Sequence, residues 1–279
     1  MDKTLVNRLS IAQLTLNDAG APETIAAAAQ AGFAAVGLRV VSPVGVVAHP
    51  RMAGNETLLR AAEQSLAACG VAVLDVNSFW ITPETKRDDF LSVLDAAVRL
   101  RAESILTVIS DSDLARGQAM FLDCCAAAQL AGVRIALEFQ PYGSVRTLSE
   151  AAALVRRAPA QSAGIVLDAL HLFRSGGQPS DVAVLSPELL AFVQLCDAPL
   201  QSPPPEELRL EARHRRHYPG EGELPLFALM DALPAGITLD IETPCEGASH
   251  LPAAEQAKRA ADATRRFLAA WAAHRAAKG

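Results

Sequence analysis

AGIVLDALHL, residues 163–172, is a short apolar run interrupted near its end by a carboxylate, and the same device recurs in IALEF (Glu138), AFVQLCDA (Gln194) and ITLDIET (Glu242). Each run reads as a buried strand with its polar group at or near the C-terminal end. In a closed parallel barrel all such ends open on one face, so residues distant in sequence converge on one site. The spacing agrees with this. Glu138 to Asp168 is 30 residues and Asp168 to Gln194 is 26, one strand–helix unit each, and the 48 from Gln194 to Glu242 make one unit lengthened by a loop.

Working outward, strand and helix signals alternate along the whole chain, the pattern of a parallel sheet covered by helices. Strands are predicted over 8–16, 34–39, 71–79, 104–110, 133–139, 163–172, 190–198 and 236–243. The predicted helices cover 22–31, 55–69, 88–101, 115–131, 148–157 and 253–274. The motifs Ala31-Gly32-Phe33, Cys69-Gly70-Val71 and Ala131-Gly132-Val133 each place a glycine where a helix would end in the left-handed conformation before the next strand. The expected fold is a single (β/α)8 TIM barrel spanning 1–279. An open doubly wound sheet ranks below it, because no Gly-rich dinucleotide fingerprint follows the first strand. The one long irregular segment, 199–223, falls after the seventh strand and reads as a lid or substrate clamp on the site face.

Composition sets outer bounds. The 279 residues are 51% hydrophobic but only 5% aromatic, which gives a large, mostly aliphatic core. A net charge of −6 argues against nucleic-acid or anionic-membrane partners, since both need a positive surface. The five cysteines are odd in number and show no paired spacing, so they read as reduced core residues. The N-terminal residues lack a secretory pattern, and no apolar run approaches membrane-spanning length. A soluble, cytoplasmic protein is the expectation.

Three carboxylates and an amide oxygen on one face repel one another unless a cation sits between them, and hard oxygen donors suit Mg²⁺ or Mn²⁺. One carboxylate at a strand end often only caps the following helix; four polar groups in register on successive strands point to a metal site made of Glu138, Asp168, Gln194 and Glu242. His171, three residues after Asp168, reads as a substrate contact or proton-transfer group. In the long loop, Arg213, Arg215 and Arg216 include candidates to clamp a carboxylate or phosphate by a bidentate fork. Pro219-Gly220-Glu221-Gly222 reads as a tight turn that aims them, and Asp197 as a loop anchor. Arg39 and Asn77 fall near the ends of the second and third strands and would line the pocket. His49 and Trp80 lie in site-face loops, and Glu103 at the opposite face reads as structural.

With these motifs in place, the chain resembles the xylose isomerase-like TIM barrels. The resemblance covers nearly the whole chain and is clearest from residue 133 onward: LEF at Glu138, LDALH at Asp168 and His171, VQLCDAP at Gln194 and Asp197, RHYPGEG around Gly220, and Glu242. It implies a Glu/Asp/(His or Gln)/Glu divalent-metal site. It also implies a metal-dependent isomerase or epimerase of a small sugar or sugar phosphate, working through an enediolate with Glu138 or Glu242 as base. A homodimer is a further implication. Most members carry histidine where this chain has Gln194. The bacterial 3-dehydroshikimate dehydratases are similar to this chain in that glutamine and in the basic stretch Arg213, His214 and Arg216. The alternative is therefore a lyase that eliminates water from a cyclic keto acid, with His171 as acid. A DNA-repair nuclease of the endonuclease IV type would need more histidines and a positive face. A catalytically silent binding module is the remaining class.

Overall fold

Alternation with period two assigns every residue of the apolar runs to one of two cores. In the computed structural model, which describes residues 8–16, 19–42 and 50–278, eight parallel strands close into a barrel in sequence order, with β8 against β1. They are β1 (Leu9–Ala12), β2 (Ala35–Arg39), β3 (Ala72–Ile81), β4 (Ser104–Ile109), β5 (Arg134–Glu138), β6 (Ala163–Asp168), β7 (Leu190–Leu195) and β8 (Leu239–Ile241). The helices are α1 (Ala21–Ala31), α2 (Glu56–Cys69), α3 (Arg87–Arg99), α4 (Leu114–Leu130), α5 (Leu148–Val155), α6 (Ala169–Arg174), α7 (Pro179–Ala183), α8 (Leu208–His214), α9 (Leu226–Ala232) and α10 (Ala253–Ala276).

Ile135, Leu137, Ile165, Leu167, Val193 and Leu195 face the helices and join the large outer core. Ala35, Leu74, Leu106, Val108, Ala136, Val166 and Phe192 fill the barrel interior. Glu138, Asp168 and Gln194 each stand two residues beyond an inward apolar residue (Ala136, Val166 and Phe192), so the pleat turns all three into the barrel mouth. At the opposite end Arg134 closes the barrel by donating to the carbonyls of Leu190, Ala163 and Glu188. Glu103 pairs there with Arg8 at 2.7 Å.

Helix termini follow the sequence signals. Asn55, Asp113, Thr147 and Asp168 cap α2, α4, α5 and α6 by accepting a backbone N–H in the first turn. Gly32, Gly70 and Gly132 adopt φ of 82°, 68° and 72°, the left-handed values that the glycine motifs require. The five cysteines are free thiols. No helix among the described residues is long and apolar enough to cross a membrane. His49 lies outside the described residues.

Several segments differ from the sequence expectation: β3 runs to Ile81 and takes in Trp80, expected in a loop, and the short helices α7 and α9 were not predicted. The first strand ends at Ala12 and turns into a 3-10 helix (Gln13–Leu16). There Gln13 accepts the Arg39 N–H (2.7 Å) and donates to the Ala19 carbonyl (2.8 Å). Thr15 accepts the Thr243 N–H and donates to the Ile241 carbonyl, both at 2.8 Å, tying the chain to β8. The sixth strand stops at Asp168, because capping by that side chain starts a helix at once. The 199–223 segment is docked rather than loose. Arg174 on α6 holds Glu211 on α8 through two bonds of 2.8 and 2.7 Å, with both side chains over nine-tenths buried. Asp197 accepts N–H groups from Ala198, Gly220 and Leu224, confirming its anchoring role.

Candidate active site

Glu138, Asp168 and Glu242 come together at one mouth, with Gln194 in register beside Asp168, and a side chain from the long insertion joins them. Arg216 follows α8 and turns into the barrel, where it is 2% exposed. Its Nη1 donates to Asp168 Oδ2 at 2.6 Å and its Nη2 lies 3.1 Å from Glu242 Oε2. Behind these contacts, Nε donates to the Ala212 carbonyl (2.7 Å) and Nη1 reaches Cys196 Sγ (3.3 Å). The repulsion that the sequence implies is thus partly relieved by a guanidinium of the chain itself. Arg216, expected to contact substrate, instead spends its donors on groups of the chain: two carboxylates, the carbonyls of Ala212 and Glu242, and the Cys196 sulfur.

The charges respond to this arrangement. Burial pushes Asp168 up, but the charge and hydrogen bond of Arg216 and the His171 backbone N–H hold the carboxyl below its ordinary range. Burial raises Glu242 to about 7 against the pull of Arg216. Burial, then Glu242 and Asp168, drive Glu138 well above the usual carboxylate value, with Arg216 and Gln140 opposing. His171 is depressed to about 4 by burial, against Asp168, so it is neutral at physiological pH. The acid role expected of it then reduces to donating a hydrogen bond from a neutral ring.

Ligand atoms of Glu138, Asp168 and His171 come within 4.8 Å of one another, which brings His171 closer to a metal position than the sequence pattern placed it. Gln194 is 1% exposed, pairs in register with Asp168 and Asp240, and has an Oε1 with no hydrogen-bond partner. Fully ionised, Glu138, Asp168 and Glu242 would carry three negative charges against the one positive charge of Arg216, an excess of two that a divalent cation would neutralise; without one, Glu138 and Glu242 are pushed toward their neutral forms. Oxygen donors, an orphaned buried amide oxygen and this residual charge fit a divalent cation.

Above the cluster lies a pocket lined by Arg39, Asn77, Trp80, Glu138, His171, Arg213, Arg216 and Glu242, with Leu14 and Leu106 as apolar wall. Asn77 donates its Nδ2 to Asp75 Oδ2 at 3.0 Å. His214 is exposed at the end of α8. One residue after Arg213, it is rotated about 100° around the helix, away from the pocket. Arg215 is also half-exposed and pairs with Glu207 at 3.3 Å.

Several residues that matter here carried no strong sequence signal. Gln140 lies two residues beyond Glu138 and donates to Glu138 Oε2 at 2.6 Å; its position on the same strand face was the available cue. Tyr142 stands edge-on to His171 with ring centroids 5.6 Å apart and carries the Arg209 guanidinium over its face at 5.2 Å. Asp75 and Asp240 are fully buried inside the barrel, where burial raises both, Asp240 to about 6. Gly37 makes this possible, because a Cβ there would lie 2.5 Å from Asp75 Oδ1.

The profile of the xylose isomerase-like TIM barrels matches residues 25–269. The chain belongs to that family. Among its relatives in sequence, a 3-dehydroshikimate dehydratase of Pseudomonas aeruginosa is 38% identical over 104 residues, which are 37% of this chain and 16% of the relative. The chain thus matches a small part of a much longer protein. Among solved structures, the IOLI protein with a bound zinc atom superposes with a TM-score of 0.77 at 16% identity, covering 95% of this chain and 99% of the other. A D-allulose 3-epimerase from Methylomonas sp. gives 0.67 at 15% identity, covering 94% and 98%. Within the xylose isomerase-like barrels, then, this one shares its fold with these structures across nearly its full length and is similar in sequence to a dehydratase over about a third of it.

Proposed function

We propose that this barrel is a divalent-metal-dependent isomerase or epimerase that moves a proton beside the carbonyl of a small polyhydroxylated sugar or sugar phosphate, with Mg²⁺ or Mn²⁺ as its ion. The observation that carries the reading is the buried cluster of Glu138, Asp168 and Glu242, of which Glu138 and Glu242 line an open pocket and which, fully ionised, would exceed the charge of Arg216 by two. Glu138, Asp168, Glu242 and the Gln194 amide oxygen, with His171 close by, are the donors that would hold the ion. When bound, the ion supplies Lewis-acid stabilisation of the charge that develops on the substrate's carbonyl oxygen.

The chain's own groups supply the proton chemistry. Two carboxyls line the pocket, Glu242 near 7 and Glu138 above the ordinary range, so one can accept the carbon-bound proton while the other returns one. Gln140 fixes the Glu138 carboxylate by holding Oε2, which orients Oε1. His171, neutral and braced by Tyr142, offers an N–H to a substrate hydroxyl. Trp80, Leu14 and Leu106 form the wall that keeps water from the reacting carbon.

A second reading, loss of water from a cyclic keto acid, is favoured by a specific feature. Arg39 and Arg213 both reach the pocket, burial lowers the pKa of each, and Arg213 lowers that of Arg39 further. Two mutually repelling guanidinium groups beside an apolar wall suit a planar substrate bearing a carboxylate. The sequence similarity to a 3-dehydroshikimate dehydratase points the same way.

Metal-stripped protein reconstituted with Mn²⁺ or Mg²⁺ separates the two when assayed in D₂O on keto-sugars and on 3-dehydroshikimate. A gain of about one dalton without loss of water identifies the isomerase or epimerase. Loss of water with a new near-ultraviolet band identifies the lyase. No turnover on either substrate, despite metal binding, refutes both readings for these substrate classes.

A further inference from the structure

The long insertion delivers one arginine into the space where the strand-end carboxylates meet, and everything around that arginine holds it there. The backbone on either side is pinned by the bridges Asp197–His217 and Arg215–Cys245, and the Arg216 N–H donates to the Pro244 carbonyl at 3.1 Å. Its side chain is gripped at Nε by the Ala212 carbonyl and at Nη1 by Cys196 Sγ, with Asp168 and Glu242 beyond. This is a fixed internal charge, not a surface arm that reaches in when substrate arrives.

We propose that Arg216 is the resident counter-ion of the carboxylate cluster: it holds Asp168 and Glu242 together in the metal-free barrel and, by the same charge, weakens the grip of that cluster on a divalent cation. The inference rests on the reading of the cluster as a metal site. A buried carboxylate group is costly unless it is paired, and removing one partner of a buried pair leaves the other uncompensated. Without Arg216 the metal-free mouth would lose the cation that pairs with Asp168 and Glu242, leaving Arg39 to act on Glu242 by charge. With a divalent ion present, the three carboxylates would be largely neutralised by the ion itself. Loss of Arg216 therefore harms the metal-free protein more than the loaded one. By linkage, that difference appears as tighter metal binding.

The test compares wild type, Arg216→Met and Arg216→Lys by thermal unfolding in chelator and in saturating Mn²⁺, and by calorimetric titration with Mn²⁺ alone. For Arg216→Met, the expected results are a lowered midpoint in chelator, a smaller loss in Mn²⁺, and Mn²⁺ binding tighter by roughly tenfold or more. Arg216→Lys keeps the charge without the fork, so its Mn²⁺ affinity should stay within about threefold of wild type while its metal-free midpoint falls. Equal losses with and without Mn²⁺, or Arg216→Met binding Mn²⁺ no tighter than wild type, overturn the proposal. If Arg216→Met does not fold in chelator, Arg216→Lys decides: Mn²⁺ binding weakened by tenfold makes Arg216 a support of the metal site and overturns the proposal too. A wild type that binds no Mn²⁺ refutes the metal reading itself, whereas Mn²⁺ binding without dependence on Arg216 refutes only this inference.

Discussion

Asp168 and Glu138 are both buried carboxylates at strand ends, yet neutralising them should move stability in opposite directions. Asp168 is 0% exposed, accepts the His171 N–H at 2.9 Å and the Arg216 guanidinium at 2.6 Å, and is held below its ordinary pKa. Asp168→Asn leaves Arg216 with Glu242 as its remaining ionic partner. Breaking a buried pair costs about 3–5 kcal/mol, of which about 1 kcal/mol is offset by relieved repulsion, leaving about 2–4 kcal/mol. At about 2.1 cal/mol/K per residue, a chain of 279 residues has an unfolding entropy of roughly 0.6 kcal/mol/K. The expected fall in midpoint is then about 3–7 °C. Glu138 is pushed the other way, by burial and by Glu242 and Asp168, and its main partner is the neutral Gln140. Glu138→Gln removes a disfavoured charge and should raise the metal-free midpoint by about 2 °C, from a gain on the order of 1 kcal/mol. Calorimetric or circular-dichroism melts in chelator at pH 7 measure both. Shifts of the same sign for the two variants would refute the charge assignment on which the site description depends.

Other consequences are equally open to measurement. Glu242 sits at about 7 against an ordinary 4.5, and Asp240 at about 6 against 3.8. A raised carboxyl stabilises the fold fully below its unfolded value, and that contribution is lost as pH rises through the folded one. Asp168, lowered, is ionised in both states above about pH 5 and adds no slope there. His171, lowered to about 4 from 6.5, works the other way up to about pH 6.5, but the two carboxyls outweigh it, so the metal-free midpoint should fall between about pH 5 and pH 7, and a midpoint that rises over this range contradicts the burial of these groups. For a carboxylated substrate, Arg39→Gln or Arg213→Gln should raise KM roughly tenfold or more with a smaller change in kcat, while a neutral keto-sugar would show neither. Steady-state kinetics on both substrate types decide between them. Gly222→Ala would place a Cβ 2.5 Å from Asp197 Oδ1 and 2.6 Å from the Ala198 carbonyl oxygen. It should cost about 2–3 kcal/mol by disturbing the anchor of the 199–223 segment, readable by urea melts.

The apolar runs and their period were enough to determine the closed barrel, because strand pleating sorts residues by local alternation alone. The same alternation put Glu138, Asp168 and Glu242 at the barrel mouth with Gln194 in register beside Asp168, and left-handed glycines at 32, 70 and 132 followed from helix-end chemistry. Boundaries were less legible where a side chain decides them: Asp168 starts α6 by capping it, and Gln13 and Thr15 end β1 by bonding to distant backbone. The direction of the arginines could not be read from Arg213-His214-Arg215-Arg216, since a run of basic residues has the same composition whichever one points inward. Only the docking of α8, through Arg174 and Glu211 from elements 37 residues apart, sets the phase that sends Arg216 into the cluster, Arg213 to the pocket and His214 to solvent. Sequence specifies which charges the chain owns and on which strand they sit. Which charge neutralises which is fixed by distances between groups far apart in the chain, and those distances exist only once the barrel has closed.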